Sequence, residues 1–191
     1  MNINKKLITL AVTLHLSFSA FSAQGDIDQI EQAAGVLNIS ALENIATNVT
    51  GYEQALTYYR ISLSANLTGK SEVAIKAIDQ AIESLEQLDV ASADDVEVKA
   101  LLAQVYGYKI ALEPLKEMYY GQKASNKLSE AKLLAPNNPR VQLVTGISKL
   151  NTPAMFVGSS DAAYQAFDKA IAAYPTDVNS EYYWGHAETY T

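Results

Sequence analysis

Lys70–Leu88 reads KSEVAIKAIDQAIESLEQL, and its apolar residues recur at intervals of three and four positions. That interval is the period of an α-helix with one buried face, so the stretch predicts an amphipathic helix. The residues of the apolar stripe are Val73, Ala74, Ala77, Ile78, Ala81, Ile82 and Leu85. No segment of the chain alternates apolar and polar residues as a half-buried strand does. The sequence therefore predicts an all-α fold.

Helix-start signals predict further helices before and after this one. Ser40 with Glu43 and Thr50 with Glu53 have the capping-box spacing, so two helices are expected to begin there. Ser92 is expected to cap a third helix. The first turn of that helix holds Asp94, Asp95 and Glu97, and carboxylates there complement the helix dipole, which favours capping over a metal site.

Helix-stop signals divide the second half of the chain. Pro114 predicts a kink or break near Glu113, and Gly121 is expected to separate this helix from the next. The sequence PNNP at residues 136–139 is a strong turn signal. The remaining predicted helices are 123–134, 141–150, 161–174 and 181–190, with a loop over 151–160.

Three of these helices repeat a small–large–small pattern at one spacing. The three sets are Ala74-Ile78-Ala81, Ala124-Leu128-Ala131 and Ala163-Phe167-Ala170. A proline follows the second and third sets, at Pro136 and Pro175. Small residues allow two helices of a hairpin to approach closely, and the large residue fills the space between hairpins. In this order of alanine, large residue, alanine and proline, the chain resembles the tetratricopeptide repeat.

The resemblance implies helical hairpins stacked in a right-handed α-superhelix. It places repeat units at about 51–90, 93–136 and 139–175 and a terminal helix at 180–190, after flanking helices at 24–50. In the third unit Gly146 fits the small position of the family's first helix. Residues 151–158, 164–170 and 183–187 are similar to a group of exported bacterial repeat proteins of unknown function.

The N-terminus predicts a secretory signal peptide at residues 1–23. Lys5 and Lys6 precede an uncharged, mostly apolar run from Leu7 to Phe21, and small residues follow it. Cleavage after Ser22 and cleavage after Ala23 both fit, and the run is short for the alternative, an uncleaved membrane anchor. The expected product is a periplasmic protein with no stable membrane anchor.

Composition excludes several function classes. The formal net charge is −7, and removal of the signal segment leaves 12 basic and 21 acidic residues, a net charge of −9. That charge disfavours nucleic-acid partners, whose phosphates call for a basic surface. The chain has no cysteine and two histidines, of which only His186 lies outside the signal segment. We therefore expect no cofactor, no metal site and no enzyme activity.

The candidate binding residues lie on or near the first helices of the predicted hairpins, which line the concave face of such a superhelix. They are Tyr58, Tyr59, Arg60, Tyr106, Tyr108 and Tyr119, with Tyr120 beside them. Tyrosine offers a rigid contact surface and a hydroxyl group. Two tyrosines at adjacent positions cannot lie on the same face of a helix, so one of each adjacent pair is expected to be buried in the core. Met155 and Phe156 lie in the predicted loop, where they either pack on the hairpin or contact a partner.

The sequence predicts a non-catalytic scaffold or adaptor that holds a protein or peptide partner in the cell envelope. The alternative is a small-molecule binding role, as an accessory component of a solute transport system. That alternative requires a site with convergent polar groups, which Arg60, Asn151 and the tyrosines could line. The sequence does not predict the oligomeric state.

Overall fold

The computed structural model describes residues 25–153, 158–177 and 182–190, and these residues form α-helices and short 3₁₀ turns with no strand. The all-α prediction is confirmed. The first helix, α1, covers 25–35. The helices that follow are α2 (Ile39–Ala46), α3 (Gly51–Leu67), α4 (Ser71–Ala91), α5 (Val96–Leu112), α6 (Glu117–Leu134), α7 (Pro139–Asn151) and α8 (Ser160–Ala173).

Consecutive helices pack as antiparallel pairs. The main pairs are α3 with α4, α5 with α6 and α7 with α8, and α5 also contacts α4 and α7. The small residues of the repeated pattern lie in these contacts, since Ala74, Ala81, Ala131 and Ala170 are fully buried. A Cβ atom added to Gly146 of α7 would stand 2.2 Å from the Phe167 ring of α8, so glycine permits this approach.

Several predicted helix ends are wrong by a few residues, each for a local reason. Helix α2 begins earlier than the Ser40 box, because the Asn38 side chain accepts a hydrogen bond from the Ala41 N–H. Asp95, not Ser92, caps α5 by accepting from the N–H groups of Glu97 and Val98. A carboxylate next to the first turn satisfies donors that would otherwise stay unpaired.

The break predicted at Gly121 is also wrong, because Gly121 lies inside α6. The chain turns earlier, where Glu113 is extended and Pro114 opens a 3₁₀ turn, Pro114–Lys116. Proline has no N–H for a helical hydrogen bond, and its ring excludes the helical conformation in the residue before it. Pro114 therefore ends α5, and the glycine is not needed for the break.

The C-terminal part of the chain differs from the predicted helix over 181–190. Residues 182–190 run as irregular backbone into a 3₁₀ turn, Ala187–Tyr190. Gly185 has φ +82°, and a Cβ there would meet the side chains of Leu143 and Tyr174, so both its backbone and its contacts require glycine.

Two predicted features lie outside the described residues. These are the signal peptide with its cleavage site, and the loop residues Met155 and Phe156. Within the described ranges, no helix has the length and apolar character needed to cross a bilayer.

Candidate functional site

Two regions contain the predicted binding residues, and they differ in exposure. The first is the face of α3 and α5 that carries Tyr52, Tyr59, Arg60 and Tyr108, named here the first-helix face. Tyr59 and Arg60 are buried on it, while Tyr58 and Tyr108 are partly buried. Tyr59 packs edge-on against Tyr108 at 5.8 Å between ring centroids.

Polar groups of the first-helix face are paired within the chain. The Gln104 amide donates to the Tyr59 hydroxyl at 2.9 Å, and burial raises the pKa of Tyr59 to about 12. The Arg60 guanidinium contacts Glu31 of α1 at 2.7 Å and Glu188 at 2.6 Å. Burial alone would lower the pKa of Arg60, but the two carboxylates outweigh it and raise the pKa, so the arginine stays charged.

Residues 182–190 cover part of the first-helix face. The buried Trp184 indole donates to the Tyr52 hydroxyl at 2.7 Å, and the Tyr174 hydroxyl donates to the Trp184 carbonyl at 2.9 Å. Tyr182 packs edge-on against Tyr52 at 4.7 Å. The segment also contacts Arg60 through Glu188 and Trp184, so it covers one of the residues that the sequence assigned to a partner.

His186 lies at the edge of this segment among aromatic rings. Its Nδ1 is 2.8 Å from the Tyr183 hydroxyl, and its ring centroid is 4.8 Å from that of Tyr174 and 5.4 Å from that of Tyr190. Across the described parts of the chain, no group of three or more His, Asp or Glu side chains is arranged to hold a metal ion.

The second region is the turn between α5 and α6 together with the start of α6, and it is named here the α5–α6 corner. It consists of Leu115, Met118, Tyr119, Tyr120 and Lys123. Leu115, Met118 and Tyr119 are 102%, 91% and 60% exposed. These three exposed side chains lie within five positions of the chain, and a contiguous exposed apolar surface marks an interaction site in soluble proteins. The corner therefore presents what the first-helix face lacks, an apolar surface that the described residues do not cover.

Three tyrosine rings in contact, called here the tyrosine stack, support the α5–α6 corner, although Tyr119 meets Tyr120 edge-on. Tyr120 lies 4.9 Å from Tyr119 and 5.6 Å from the buried Tyr106 of α5, measured between ring centroids. Tyr106 donates its hydroxyl to Glu86 of α4 at 2.7 Å, and burial, followed by the hydrogen bond to Glu86, raises its pKa. Tyr106 is thus the base of the corner and Tyr119 its exposed top.

Lys123 forms the charged edge of the corner. Its Nζ donates to Glu86 at 2.7 Å, and this hydrogen bond raises the pKa of Lys123. The same nitrogen lies 4.8 Å and 5.1 Å from the ring centroids of Tyr119 and Tyr106. A cation over tyrosine rings is attracted to their negative faces, which fixes Lys123 beside the aromatic stack.

A buried lysine holds the backbone that forms the corner. Lys109, near the end of α5, is fully buried and pairs with Asp79 of α4 and with Glu113. Burial would lower the pKa of Lys109, but the hydrogen bonds to Asp79 and Glu113 outweigh it and raise the pKa. Glu113 directly precedes Pro114, so this pairing fixes the point at which the chain turns.

The buried ion pair between Glu97 of α5 and Arg140 of α7 was not predicted from the sequence. Glu97 does not cap α5 but accepts from Arg140 of α7 and from Asn138 at 2.6 Å. Arg140, fully buried, also contacts Asp177 at 2.7 Å. Sequence gives no signal for such a pair, because Glu97 and Arg140 are 43 positions apart.

An open depression of about 490 Å³ lies on the outer side of α4, away from the predicted residues. Its lining is mostly charged, with Ile75 as its one apolar side chain among Glu72, Lys76, Asp79, Gln80 and Glu83. Ligand sites are usually apolar with few polar groups, so this depression is the weaker candidate.

Comparison with known proteins finds a similar fold in a solved structure but no match by sequence family. No family model matches the chain, and no curated protein matches it. A solved structure with a similar fold is the HusA haemophore from Porphyromonas gingivalis, with a TM-score of 0.64 and 21% sequence identity. The match covers 91% of this chain and 88% of that chain. At this identity the likeness shows the all-helical fold, and membership of the tetratricopeptide family stays a prediction.

Proposed function

We propose that the chain is an exported, non-catalytic binding protein that takes a planar, largely apolar small molecule of the porphyrin class at the α5–α6 corner. The observation that carries the proposal is the exposure of Leu115, Met118 and Tyr119, together with the ring contacts of Tyr119 through Tyr120 to Tyr106. This corresponds to the small-molecule alternative of the sequence analysis more closely than to the adaptor.

The physical basis is the removal of two apolar surfaces from water. Burial of apolar area contributes about 25 cal/mol per Å², and a porphyrin ring presents two broad apolar faces. Tyrosine rings add stacking of about 1 kcal/mol per pair beyond the area term. Tyr119 is already held by Tyr120 and Lys123, so little side-chain freedom is lost when a flat ligand packs on it.

The fold comparison supports the same class of ligand. A haemophore is by its name a carrier of haem, and the likeness extends over most of both chains. The signal peptide predicted at residues 1–23 agrees with a role outside the cytoplasm, where a carrier meets its ligand.

The test is a titration of the chain without its signal segment with haemin and with iron-free protoporphyrin IX, followed by the Soret absorption. We expect both to bind, because the corner contacts the ring. Tyr119→Ala should weaken binding about tenfold, since a stacked aromatic anchor is lost. The matched control is Tyr164→Ala, because Tyr164 of α8 is 63% exposed and lies in another hairpin.

Two outcomes would contradict the proposal. Absence of binding by the folded wild-type chain would exclude the porphyrin class. Full affinity in a triple variant, Leu115→Ser with Met118→Ser and Tyr119→Ser, would place the ligand elsewhere on the molecule.

The second candidate function is that of an adaptor for a protein partner. The exposed side chains of the α5–α6 corner favour it as well. Leu115 and Met118 extend into solvent, as residues do that insert into a groove of a partner protein. The test is capture from a periplasmic extract by the wild type, by the triple variant and by Met155→Ala with Phe156→Ala. A partner identified with the wild type and lost with the triple variant would support the adaptor.

A further inference from the structure

Lys123 differs from the neighbouring lysines Lys116 and Lys127 in its contacts and its exposure. Lys127 lies between Asp89 and Glu130, at 2.7 Å and 2.8 Å, and its side chain is 22% exposed. Lys116 pairs with Glu113 at 3.2 Å, and no contact to the tyrosine stack is described for it. Lys123 touches the stack, and its side chain is 35% exposed.

An ammonium group has three N–H donors and no acceptor. The side-chain hydrogen bonds of Lys123 to Glu86 and to Tyr119 use two of these donors, which leaves the third for a ligand. A further acceptor can therefore approach Lys123 from solvent at the edge of the apolar surface. The acceptor that gains most there is an anion, because hydrogen bonds between charged groups are the strongest.

The charge of the whole chain makes this position selective. The net charge is −7, so the chain as a whole repels an anionic ligand, and such a ligand needs a cation at its binding site. Lys116 and Lys123 flank the apolar corner in the sequence, and Lys123 is the one in contact with its rings. An apolar surface and an available cation thus adjoin in one place.

We infer that Lys123 receives a carboxylate of the ligand, so that the α5–α6 corner selects planar apolar molecules that carry carboxylates on one edge. The inference rests on the proposed function and deepens it, since it names the acidic members of the porphyrin class as the ligands. The ring packs on Tyr119 and Met118, and the carboxylate lies beside Lys123.

The test compares mesoporphyrin IX with its dimethyl ester, in the same cosolvent, on four chains. These chains are the wild type, Lys123→Met, Lys123→Arg and the control Lys169→Met, which removes an exposed lysine of α8. Lys123→Met should weaken binding of the free acid about tenfold and leave binding of the ester within about twofold. Lys123→Arg should restore the affinity for the acid. Added salt should weaken binding of the acid more than binding of the ester.

The possible failures are distinguishable. If the wild type binds neither molecule, the proposed function fails, and this inference fails with it. If the wild type binds both molecules and Lys123→Met weakens both equally, Lys123 acts only through packing on the tyrosines. The inference is then wrong while the proposed function stands. Equal affinity of all four chains for the acid overturns the inference in the same way.

Discussion

The first-helix face and the α5–α6 corner are built from the same residue types and have opposite surroundings. On the first-helix face, Tyr59 and Arg60 are buried and their polar atoms are paired. At the corner, Tyr119 is 60% exposed and its neighbours Leu115 and Met118 extend into solvent. The face is therefore interior, and the corner is surface.

This difference in exposure indicates which of the two regions can contribute affinity for a ligand. A side chain that is already packed and hydrogen-bonded gains little from a ligand, whereas an exposed apolar side chain gains from its removal from water. Changes on the first-helix face should therefore lower stability, and changes at the corner should lower binding. The predictions below test that division, from the largest expected effect to the smallest.

Trp184→Ala should produce the largest loss of stability. The indole is 3% exposed, so truncation leaves a cavity and should cost roughly 4 kcal/mol of the free energy of unfolding. Urea unfolding followed by circular dichroism measures the loss. Tyr52→Phe, which removes only the acceptor of the indole N–H, is the control and should cost about 1 kcal/mol. A loss below that of Tyr52→Phe would mean that residues 182–190 are not part of the interior.

Arg60→Met should cost about 2 kcal/mol, because it leaves Glu31 and Glu188 without their shared cation. The loss should shrink on acidification. The pKa of Glu31 is raised, chiefly by burial, while its ion pair with Arg60 acts to lower it. Without Arg60 the pKa of Glu31 rises further. Acidification then protonates Glu31 in the variant and removes the buried charge that lost its partner, so the loss of stability becomes smaller. Unfolding measurements across the carboxyl titration range test this, and a loss that is constant with pH would contradict it.

Asp89→Asn tests the ion pairs that link α4 to α5 and α6 through their pH dependence. Burial would raise the pKa of Asp89, but the hydrogen bonds from Lys127 and Lys99 outweigh it and lower the pKa. A lowered pKa contributes stability above the unfolded value, and this stability is lost as pH falls through the folded value. The wild type should therefore exceed the variant near neutral pH and approach it in acid.

Urea unfolding at about pH 6 and at about pH 3 checks the Asp89 prediction, since unfolded aspartate titrates near 3.9. Asp168→Asn, at an exposed carboxylate of α8, is the matched control and should show no such convergence. A difference between wild type and Asp89→Asn that stays constant with pH would contradict the pairing.

Leu115→Ser and Met118→Ser should have the smallest effect on stability, within about 0.5 kcal/mol, because exposed side chains lose few contacts. Their effect should appear in porphyrin binding instead. Thermal unfolding and Soret titration of the same samples separate the two quantities. A large loss of stability would show that the corner is packing, which would remove the contrast with the first-helix face.

Sequence reasoning located much of the fold and one part of the candidate site. Tyr119 was predicted as a binding residue and lies at the corner, but Leu115, Met118 and Lys123 were missed. Their signal was present: Leu115 and Met118 are apolar residues that flank a proline break. The break predicted near Glu113 is confirmed, but a second break was predicted at Gly121, so residues 115–120 were not recognised as a turn leading into the start of α6.

The sequence by itself determined the helices and their apolar stripes, because helical periodicity and proline are local properties of the chain. It also determined the small residues at the helix contacts, such as Ala74 and Gly146, because the size of a side chain is fixed by the residue at that position. Tertiary structure alone decided which tyrosines are buried and that Arg140 pairs with Glu97. These depend on residues tens of positions apart, which no local pattern brings together.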